Sequence, residues 1–383
     1  MGLATSENKH IVVVLGMHRS GTSVITRGLQ VLGVDLGERL MAPQQDNERG
    51  FWEDLEVNAL NIEVLSALGH DWHTLTPVLD RELTGPAVEE FKTRALEILQ
   101  VRLSKIDYFG LKDPRIPRLL SFWQDVFARL QAKVSYLITC RNPLNVAASL
   151  ALRNGFDPEK SYFLWLEHML ESIAQTYGRP RLAVDYDRLL DDPATQLGRI
   201  AEILDLRFDS QSLEFCEFLK FLEGSLRHHR QTLQDLQRDD RVPPGVSELY
   251  ELLLKLSADE VAFDDDEVAG VLHRIDLQYR QNYLALRYMR HWEEKATTLA
   301  ERVNAVTELI AERDRQVSQM GQALAAADAA ATACQAEMMA VKSQAAELRS
   351  QLDMVFSSRS WKIAQMLKKV AFPFKRFLQQ ARH

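Results

Sequence analysis

A glycine-framed loop near the N-terminus carries the side chains best suited to bind a phosphate. It spans residues 16–23 (GMHRSGTS) and follows the aliphatic run of residues 11–15. Two glycines at this spacing let the backbone turn tightly, so that its N–H groups converge on one anion. A helix that begins near Thr22 would add the positive end of its dipole. The predicted phosphate-binding residues are Gly16, His18, Arg19, Ser20, Gly21, Thr22 and Ser23.

The same loop differs at one informative position from the pattern GxxxxGK(S/T), which cradles nucleoside triphosphates. Thr22 stands where that pattern has the lysine that reaches the β and γ phosphates, and the cation of the loop is Arg19 instead. The loop therefore favours a nucleotide with a single phosphate group at its 5′ end. A P-loop kinase or other NTPase stays open as an alternative, as does a degenerate nucleotide fold that serves as a non-catalytic scaffold.

A second cation and hydroxyl follow a later strand candidate. Arg141 comes shortly after residues 134–139, and Ser149 lies eight residues further on, inside the helical stretch 144–152. A fixed guanidinium and a hydroxyl can together bind a second, separate phosphate. The alternative is that Arg141 forms only a structural ion pair at the end of its strand.

Together, the two elements resemble the PAPS-dependent sulfotransferases (PAPS is 3′-phosphoadenosine 5′-phosphosulfate), and more closely their bacterial and glycan- or protein-directed members. Residues 16–23 are similar to the family's 5′-phosphosulfate-binding loop, and Arg141 with Ser149 to its 3′-phosphate-binding pair. Residues 111–115 (LKDPR) and 184–193 (VDYDRLLDDP) are similar to two further family segments. The resemblance covers residues 10–235 and implies a P-loop fold with PAPS as the sulfate donor.

The chain departs from the cytosolic small-molecule members of that family at two points. Their loop lysine is Arg19 here, and their late GxxGxxK segment, which helps to hold the 3′ phosphate, is absent. Arg227, in the run RHHR of residues 227–230, is our candidate substitute, and Lys112 is a further candidate donor contact.

The resemblance implies transfer of a sulfuryl group from PAPS to an acceptor hydroxyl. Cations and N–H groups held beside the leaving phosphate would stabilise the charge that develops there. Arg19 is the catalytic candidate for this role, with support from Thr22, Ser23 and Lys112.

The acceptor hydroxyl also needs a general base. We expect it in the acidic and aromatic segment 47–54 (NERGFWED), because related enzymes that act on sugars or tyrosine use a glutamate. Glu53 is the prediction, ahead of Glu48 and Asp54, and burial beside aromatic side chains would raise its pKa. His18 is the alternative base. Pairing of Glu53 with a nearby arginine or lysine would instead make it structural.

Aliphatic, strand-like runs alternate with helical periodicity in the first part of the chain. The strand candidates are residues 11–15, 108–111, 134–139 and, more weakly, 182–184. Such alternation predicts a three-layer α/β fold, in which a mostly parallel sheet is flanked by helices and binds ligands at the carboxyl ends of its strands. We assign residues 1–235 to this domain and residues 236–283 to a helical extension.

A long apolar seam follows. From Val303 to Val355, apolar residues recur on a 3-4 spacing that only Arg313 interrupts, and the frame extends back to Ala285. About ten heptads exceed the three or four that indicate a coiled coil, so residues 284–356 are predicted to form a coiled-coil homo-oligomer. The alternative, a single amphipathic helix packed on the domain, would be longer than a compact domain.

The tail, residues 357–383, carries seven Lys or Arg and no Asp or Glu, whereas the whole chain has a net charge of −8. Bulky apolar residues among these cations have the composition of an interfacial helix, which would contact a membrane surface or an acidic partner such as a protein or polysaccharide. The alternative is a merely solvated end. Residues 357–362 (SSRSWK) are similar to an element found beside coiled coils in bacterial polysaccharide-assembly enzymes. We therefore expect a glycan acceptor, such as a polysaccharide precursor.

The composition of the chain argues against several other classes of protein. The negative net charge disfavours a nucleic-acid partner, and no apolar run reaches the ~20 residues that span a bilayer. Three scattered cysteines, Cys140, Cys216 and Cys334, indicate reduced thiols, so the expected location is cytoplasmic, with membrane contact only peripheral. No Cys or His cluster has metal-ligand spacing, so no metal is expected.

Overall fold

The computed structural model describes residues 9–44, 47, 49–223 and 231–368 of the chain. The chain divides into two compact units, Met1–Glu294 and Lys295–His383. The first unit contains the predicted phosphate-binding loop, and the second contains most of a long helix.

The first unit is built on a four-stranded sheet in which neighbouring strands are all parallel. The strands are β1 (His10–Leu15), β2 (Tyr108–Lys112), β3 (Lys133–Cys140) and β4 (Arg181–Asp185), in the order β2-β1-β3-β4. All four strand predictions are confirmed, and each strand is slightly longer than predicted. β1 lies inside the sheet with every residue buried, which is why its sequence is one aliphatic run.

Thirteen α-helices and two short 3₁₀ turns, Asp80–Leu83 and Ile116–Leu119, surround and follow this sheet in the described part of the chain. The helices are α1 (Thr22–Val31), α2 (Leu55–Ala67), α3 (Pro86–Leu103), α4 (Leu120–Leu130), α5 (Pro143–Asn154), α6 (Pro158–Ala174), α7 (Tyr186–Asp191), α8 (Pro193–Leu204), α9 (Leu213–Leu222), α10 (Leu233–Arg238), α11 (Pro244–Ser257), α12 (Asp266–Gln281) and α13 (Tyr283–Ser357).

Alternate residues of β1 point to opposite faces of the sheet and enter two separate hydrophobic cores. Ile11 and Val13 lie in the core that α2–α6 and α10–α12 complete. Val12 and Val14 lie in the core that α1 and α7–α9 complete. Helices therefore cover both faces, and the predicted parallel sheet flanked by helices is confirmed.

The helices after residue 235 contribute to the first of these cores. Leu236 of α10, Leu249 of α11 and Ile275 of α12 are each almost fully buried there. Pro244 begins α11 at a position where proline is tolerated, since the first N–H groups of a helix have no intrahelical acceptor. Residues 236–283 thus pack as part of the first unit.

Helix α13 runs from Tyr283 to Ser357, so the predicted long C-terminal helix is confirmed. Its apolar stripe is exposed in the single chain, and Val303, Ile310 and Leu324 each keep more than half of their surface in solvent. Exposed apolar surface of this extent is typical of an interaction site, and self-association as a coiled coil stays a prediction. Among the residues described, no helix has the length and apolar character needed to cross a membrane.

Because the strands are parallel, their carboxyl ends meet along one edge of the sheet. Gly16 follows β1, Asp113 follows β2 and Arg141 follows β3. Since β1 lies between β2 and β3, the loop after β1 lies between the other two strand ends. The fold thus brings the two predicted phosphate-binding elements to one place.

Candidate active site

The loop that joins β1 to α1, residues 16–21, packs closely against β3 and α7. Gly16 (φ +153°) and Gly21 (φ +87°) have backbone conformations that favour glycine. A Cβ atom at Gly16 would lie 2.0 Å from Thr139 Oγ1, and one at Gly21 would lie 2.2 Å from Cδ2 of the Tyr186 ring. Both distances are far below van der Waals contact, so only glycine fits these two positions without a shift of the neighbouring side chains.

The second predicted phosphate-binding element contacts the loop directly. Arg141 Nη1 donates a hydrogen bond of 2.7 Å to the carbonyl oxygen of Arg19, and Arg19 Nε donates one of 2.7 Å to Ser149 Oγ. The guanidinium of Arg141 also lies over the Tyr186 ring, with Cζ 4.6 Å from the ring centroid. Arg19, Arg141 and Ser149 therefore form one contiguous cluster.

Three buried polar atoms around this cluster have no hydrogen-bond partner among the described residues: Ser20 Oγ, Thr139 Oγ1 and Arg141 Nε. Buried polar atoms are normally paired. The start of α1 adds backbone N–H groups that no side chain caps. Polar groups left over in this way, beside a loop shaped by two glycines, fit a phosphate-bearing ligand such as PAPS.

The carboxylate of Glu53 is buried, and only 4% of the residue is exposed to solvent. Lys112 Nζ donates to its Oε1 at 2.6 Å, and Asn58 Nδ2 donates to its Oε2 at 2.8 Å. Burial raises the pKa of Glu53, while Lys112 opposes that rise and Asp113 adds to it. The direction of the pKa shift is the expected one, and the contact with Lys112 is the pairing that the sequence left open.

Lys112 connects Glu53 to the phosphate-binding loop. Its Nζ donates to the carbonyl oxygen of Phe51 at 2.8 Å and to Ser23 Oγ at 3.5 Å. Ser23 Oγ in turn donates to the same carbonyl oxygen at 3.3 Å. Because Lys112 ends β2 and Ser23 lies in the first turn of α1, the Glu53 carboxylate is held in a fixed place relative to the loop.

Asp54, an alternative base in the sequence, has a structural role. Its Oδ1 accepts hydrogen bonds from the first backbone N–H groups of α2, and its Oδ2 accepts one from Arg102 Nε at 2.9 Å. This cap fixes the backbone directly after Glu53. The other alternative in that segment, Glu48, lies outside the described residues, as does Arg227, our candidate for the 3′ phosphate.

The loop, Arg141 and Glu53 all line one cavity of about 540 Å³. Its described lining residues include a single carboxylate, Glu53, and five cationic side chains, which are Arg19, Lys112, Arg115, Arg141 and Arg153. This excess of positive charge favours an anionic ligand. Within the described ranges, no group of three or more His, Cys, Asp or Glu side chains is arranged to hold a metal ion.

His18 and Trp72 form another part of the cavity lining. Their ring centroids lie 4.2 Å apart, and Arg153 Cζ lies 5.3 Å from the Trp72 centroid. Burial, followed by the nearby charges of Arg115 and Arg153, lowers the pKa of His18 well below its ordinary value. His18 is therefore neutral and a weak proton acceptor, which favours Glu53 over His18 as the base.

Sequence reasoning missed several residues that the fold brings to the site. Asn58 in α2 binds the second oxygen of Glu53, and Thr139 and Tyr186 pack against the loop. Tyr186 could have been found from the sequence, because it belongs to the segment 184–193 that resembles a family segment. Asn58 could not have been found, because the sequence of a helical stretch does not show which residues a single asparagine contacts.

No family model matches the chain, and no curated protein matches it. The solved structures similar to it include the sulfotransferase domain from the Synechococcus PCC 7002 olefin synthase, at 15% identity and a TM-score of 0.35, over 72% of this chain and 98% of that one. Sulfotransferase STF1 from Mycobacterium tuberculosis H37Rv is similar at 14% identity and a TM-score of 0.33, over 66% and 77% of the two chains. The sulfotransferase domain from the curacin biosynthetic pathway is similar at 15% identity and a TM-score of 0.34, over 70% of this chain and 97% of that one. This likeness is distant, so function has to be inferred from the chain's own residues.

We expect Gly21→Ala to disrupt the loop, because its Cβ would meet the Tyr186 ring in a backbone conformation that is strained for any residue with a Cβ. Gly33→Ala is the matched control, since Gly33 also has a positive φ (+77°) but no atom lies within 4 Å of its Cβ position. Backbone strain alone costs about 1–2 kcal/mol. Thermal unfolding should therefore show a larger loss of stability for Gly21→Ala, and equal losses would contradict the close packing of the loop.

Proposed function

We propose that this protein is a PAPS-dependent sulfotransferase, which transfers a sulfuryl group from PAPS to a hydroxyl group of an acceptor. The observation that carries the proposal is the contact of Arg19 with Arg141 and Ser149. Two phosphate-binding elements that touch each other suit a nucleotide with phosphate groups at both ends, and PAPS is such a nucleotide. The absence of the triphosphate lysine from the loop supports the same choice.

In this proposal the loop residues 16–23 bind the 5′-phosphosulfate, and Arg141 with Ser149 binds the 3′ phosphate. Ser20 Oγ and Arg141 Nε, both buried and unpaired among the described residues, are donors suited to these groups. Arg227 stays a candidate for a further contact with the 3′ phosphate.

Transfer breaks the bond between sulfur and the phosphate oxygen and forms a bond between sulfur and the acceptor oxygen. Arg19 stabilises the negative charge left on the phosphate, and because a guanidinium stays protonated at ordinary pH, it acts through its charge. Glu53 takes the proton from the acceptor hydroxyl. A carboxylate of raised pKa is a better proton acceptor than an ordinary one, and burial supplies that rise.

The acceptor we propose is a carbohydrate or a polysaccharide precursor. Trp72 lines the cavity together with Asn47 and Asn58. Such a lining offers apolar surface to a sugar ring and amide oxygens as acceptors to its hydroxyls, since the Nδ2 groups of the two asparagines already donate within the protein. The resemblance of residues 357–362 to polysaccharide-assembly enzymes supports the same class.

A kinase or other NTPase would need a carboxylate free to bind Mg²⁺ near the loop. Asp113 follows β2 and is fully buried, but its oxygens accept hydrogen bonds from Arg115 at 3.1 Å and from Asn58 at 3.1 Å. Together with Thr22 at the lysine position, this arrangement disfavours triphosphate chemistry. Tight binding of ATP with Mg²⁺, without binding of 3′-phosphoadenosine 5′-phosphate (PAP), would overturn our assignment.

We also propose that the chain acts in the cytoplasm as a homo-oligomer joined through α13, and that its basic tail contacts a membrane surface or an acidic partner. The exposed stripe of α13 supports the association. In the tail, Trp361 and Ile363 are exposed beside Lys362, a combination suited to an interface. Residues 369–383 lie outside the described part of the chain.

We expect Arg141→Ala to weaken PAP binding by roughly ten- to a hundredfold, because a charge-assisted contact to the 3′ phosphate is lost. Isothermal titration calorimetry with PAP measures this change. Arg129→Ala is the control, since Arg129 lies on α4 and forms ion pairs with Glu89 and Asp125, and this variant should bind PAP as the wild type does. Unchanged PAP affinity in Arg141→Ala would contradict the 3′-phosphate assignment.

We expect Glu53→Gln to lower kcat about 10²- to 10⁴-fold without a change in PAP affinity. Because the base must be ionised and burial raises its pKa, wild-type kcat should fall as the pH drops, with a midpoint above the ordinary carboxylate value of 4.5. Sulfate transfer from labelled PAPS to a glycan panel provides the measurement. Glu56→Gln, at a half-exposed glutamate paired with Arg102, should keep wild-type turnover. Full turnover in Glu53→Gln would exclude Glu53 as the base.

Two pairs of adjacent residues allow the seam of α13 to be tested against the other faces of the helix. Ile310 and Met338 lie on the seam, whereas Leu309 and Met339 are equally apolar and exposed but lie beside it. We expect the double variant Ile310→Asp/Met338→Asp to shift the mass measured by light scattering towards that of one chain, because buried charges disrupt a coiled-coil core. Leu309→Asp/Met339→Asp should keep the wild-type mass. A wild-type chain that is already monomeric would refute the self-association.

A further inference from the structure

The aromatic lining of the cavity depends on a loop that we name the wall loop, residues 69–77, between α2 and the turn at Asp80–Leu83. It carries Trp72, which lines the cavity and stacks at 5.6 Å on Phe156. Within the loop, Asp71 Oδ1 accepts hydrogen bonds from His73 N and from Thr74 Oγ1, each at 2.8 Å. Several backbone carbonyl oxygens of the loop are bound instead by side chains from other elements.

Arg118 is the most deeply buried of these side chains. Its Nη1 donates to the carbonyl oxygen of Thr74 at 2.6 Å and, at 3.4 Å, to that of Trp72. Its Nη2 donates to the carbonyl oxygen of Thr76 at 2.6 Å. Glu167 Oε2 lies 3.4 Å from Arg118 Nη1, and both side chains are buried. One guanidinium thus fixes three carbonyl groups around Trp72.

Arg290, in the first turns of α13, binds the same loop at two further points. Its Nη1 donates to Thr76 Oγ1 at 3.1 Å, and its Nη2 donates to the carbonyl oxygen of Gly69. The side chain of Arg290 is about one quarter exposed, so its replacement leaves the hydrophobic core intact. Its two acceptors stand near opposite ends of the wall loop, and a single side chain therefore ties those ends together.

Glu293, three residues after Arg290 on α13, is linked to the wall loop through Lys160. Its Oε1 accepts a hydrogen bond of 2.6 Å from Lys160 Nζ. Lys160 Nζ also lies 3.3 Å from His73 Nδ1 and 4.5 Å from the centroid of the Phe156 ring. Through Lys160, the beginning of α13 is thus linked to two aromatic neighbours of Trp72, His73 and Phe156, and all of these residues belong to the unit Met1–Glu294.

From these contacts we infer that Arg290 is a positioning residue for the acceptor, which holds the wall loop, and through it Trp72, against the cavity. The inference deepens the proposed function and rests on it, because it places the acceptor against Trp72. Arg290 touches neither the phosphate-binding loop nor Glu53 by any hydrogen bond or ion pair among the described residues. We therefore expect its loss to weaken acceptor binding, while the hydrogen bonds of the donor site and of Glu53 stay in place.

The test uses the full chain with Arg290→Ala, Arg290→Lys and the control Arg287→Ala, which removes an exposed arginine three residues earlier on the same helix. Arg290→Ala should raise KM for a glycan acceptor roughly tenfold, with kcat and the Kd of PAP close to wild type. Amide hydrogen exchange of residues 69–77 should become faster while that of β1 does not change. Arg290→Lys, which keeps the charge, should restore part of both effects, and Arg287→Ala should show neither.

A double-mutant cycle with Trp72→Ala separates positioning from a general loss of stability. Because Arg290 acts through Trp72, the KM increase of Trp72→Ala/Arg290→Ala should be smaller than the product of the two single increases. Multiplicative increases, or an Arg290→Ala chain that matches Arg287→Ala in both KM and exchange, would overturn the inference. If the wild type sulfates no acceptor, the proposed function fails, whereas the exchange of residues 69–77 still decides whether Arg290 holds the wall loop.

Discussion

The position of β1 between β2 and β3 is the constraint on which the site depends. All three strands run in the same direction, so the loop after β1 must pass between Lys112 at the end of β2 and Arg141 just after β3. That arrangement places Thr139 and Tyr186 so close to the loop that Gly16 and Gly21 have no room for a side chain. Without side chains at these two positions, the loop backbone has room to approach a bound anion closely.

The electrostatics of the cavity combine an excess of cationic side chains with one buried carboxylate. Five cationic side chains line it, and Glu53 is the carboxylate among its described lining residues. Desolvation raises the pKa of Glu53, and the ion pair with Lys112 only partly offsets this rise. The same pair keeps the carboxylate beside the loop. A site that attracts anions can therefore also hold a basic carboxylate, because Lys112 both compensates Glu53 and fixes it.

The sequence predicted those parts of the fold and site that local pattern determines. Aliphatic runs identified the four strands, glycine spacing identified the loop, and the spacing of Arg141 and Ser149 identified a second cluster that the loop contacts. Contacts that join distant segments were not predictable in this way. Arg290 and Thr76 are 214 residues apart, and Asn58, which binds Glu53, also binds Asp113, 55 residues away. Nothing in the sequence around Arg118 predicts its hydrogen bonds to the wall loop, because they form only in the folded chain.

The contacts of Arg118 also determine how the interior accommodates a charge. Burial raises the pKa of its neighbour Glu167 to about 8, although the charge of Arg118 opposes that rise. The guanidinium donates hydrogen bonds to three backbone carbonyl oxygens of the wall loop, much as a metal ion is coordinated by oxygen ligands. Any conformation that withdrew those oxygens would leave a cation bare in a medium of low dielectric constant. The wall loop beside Trp72 thus also serves as the hydrogen-bonding shell of a buried cation.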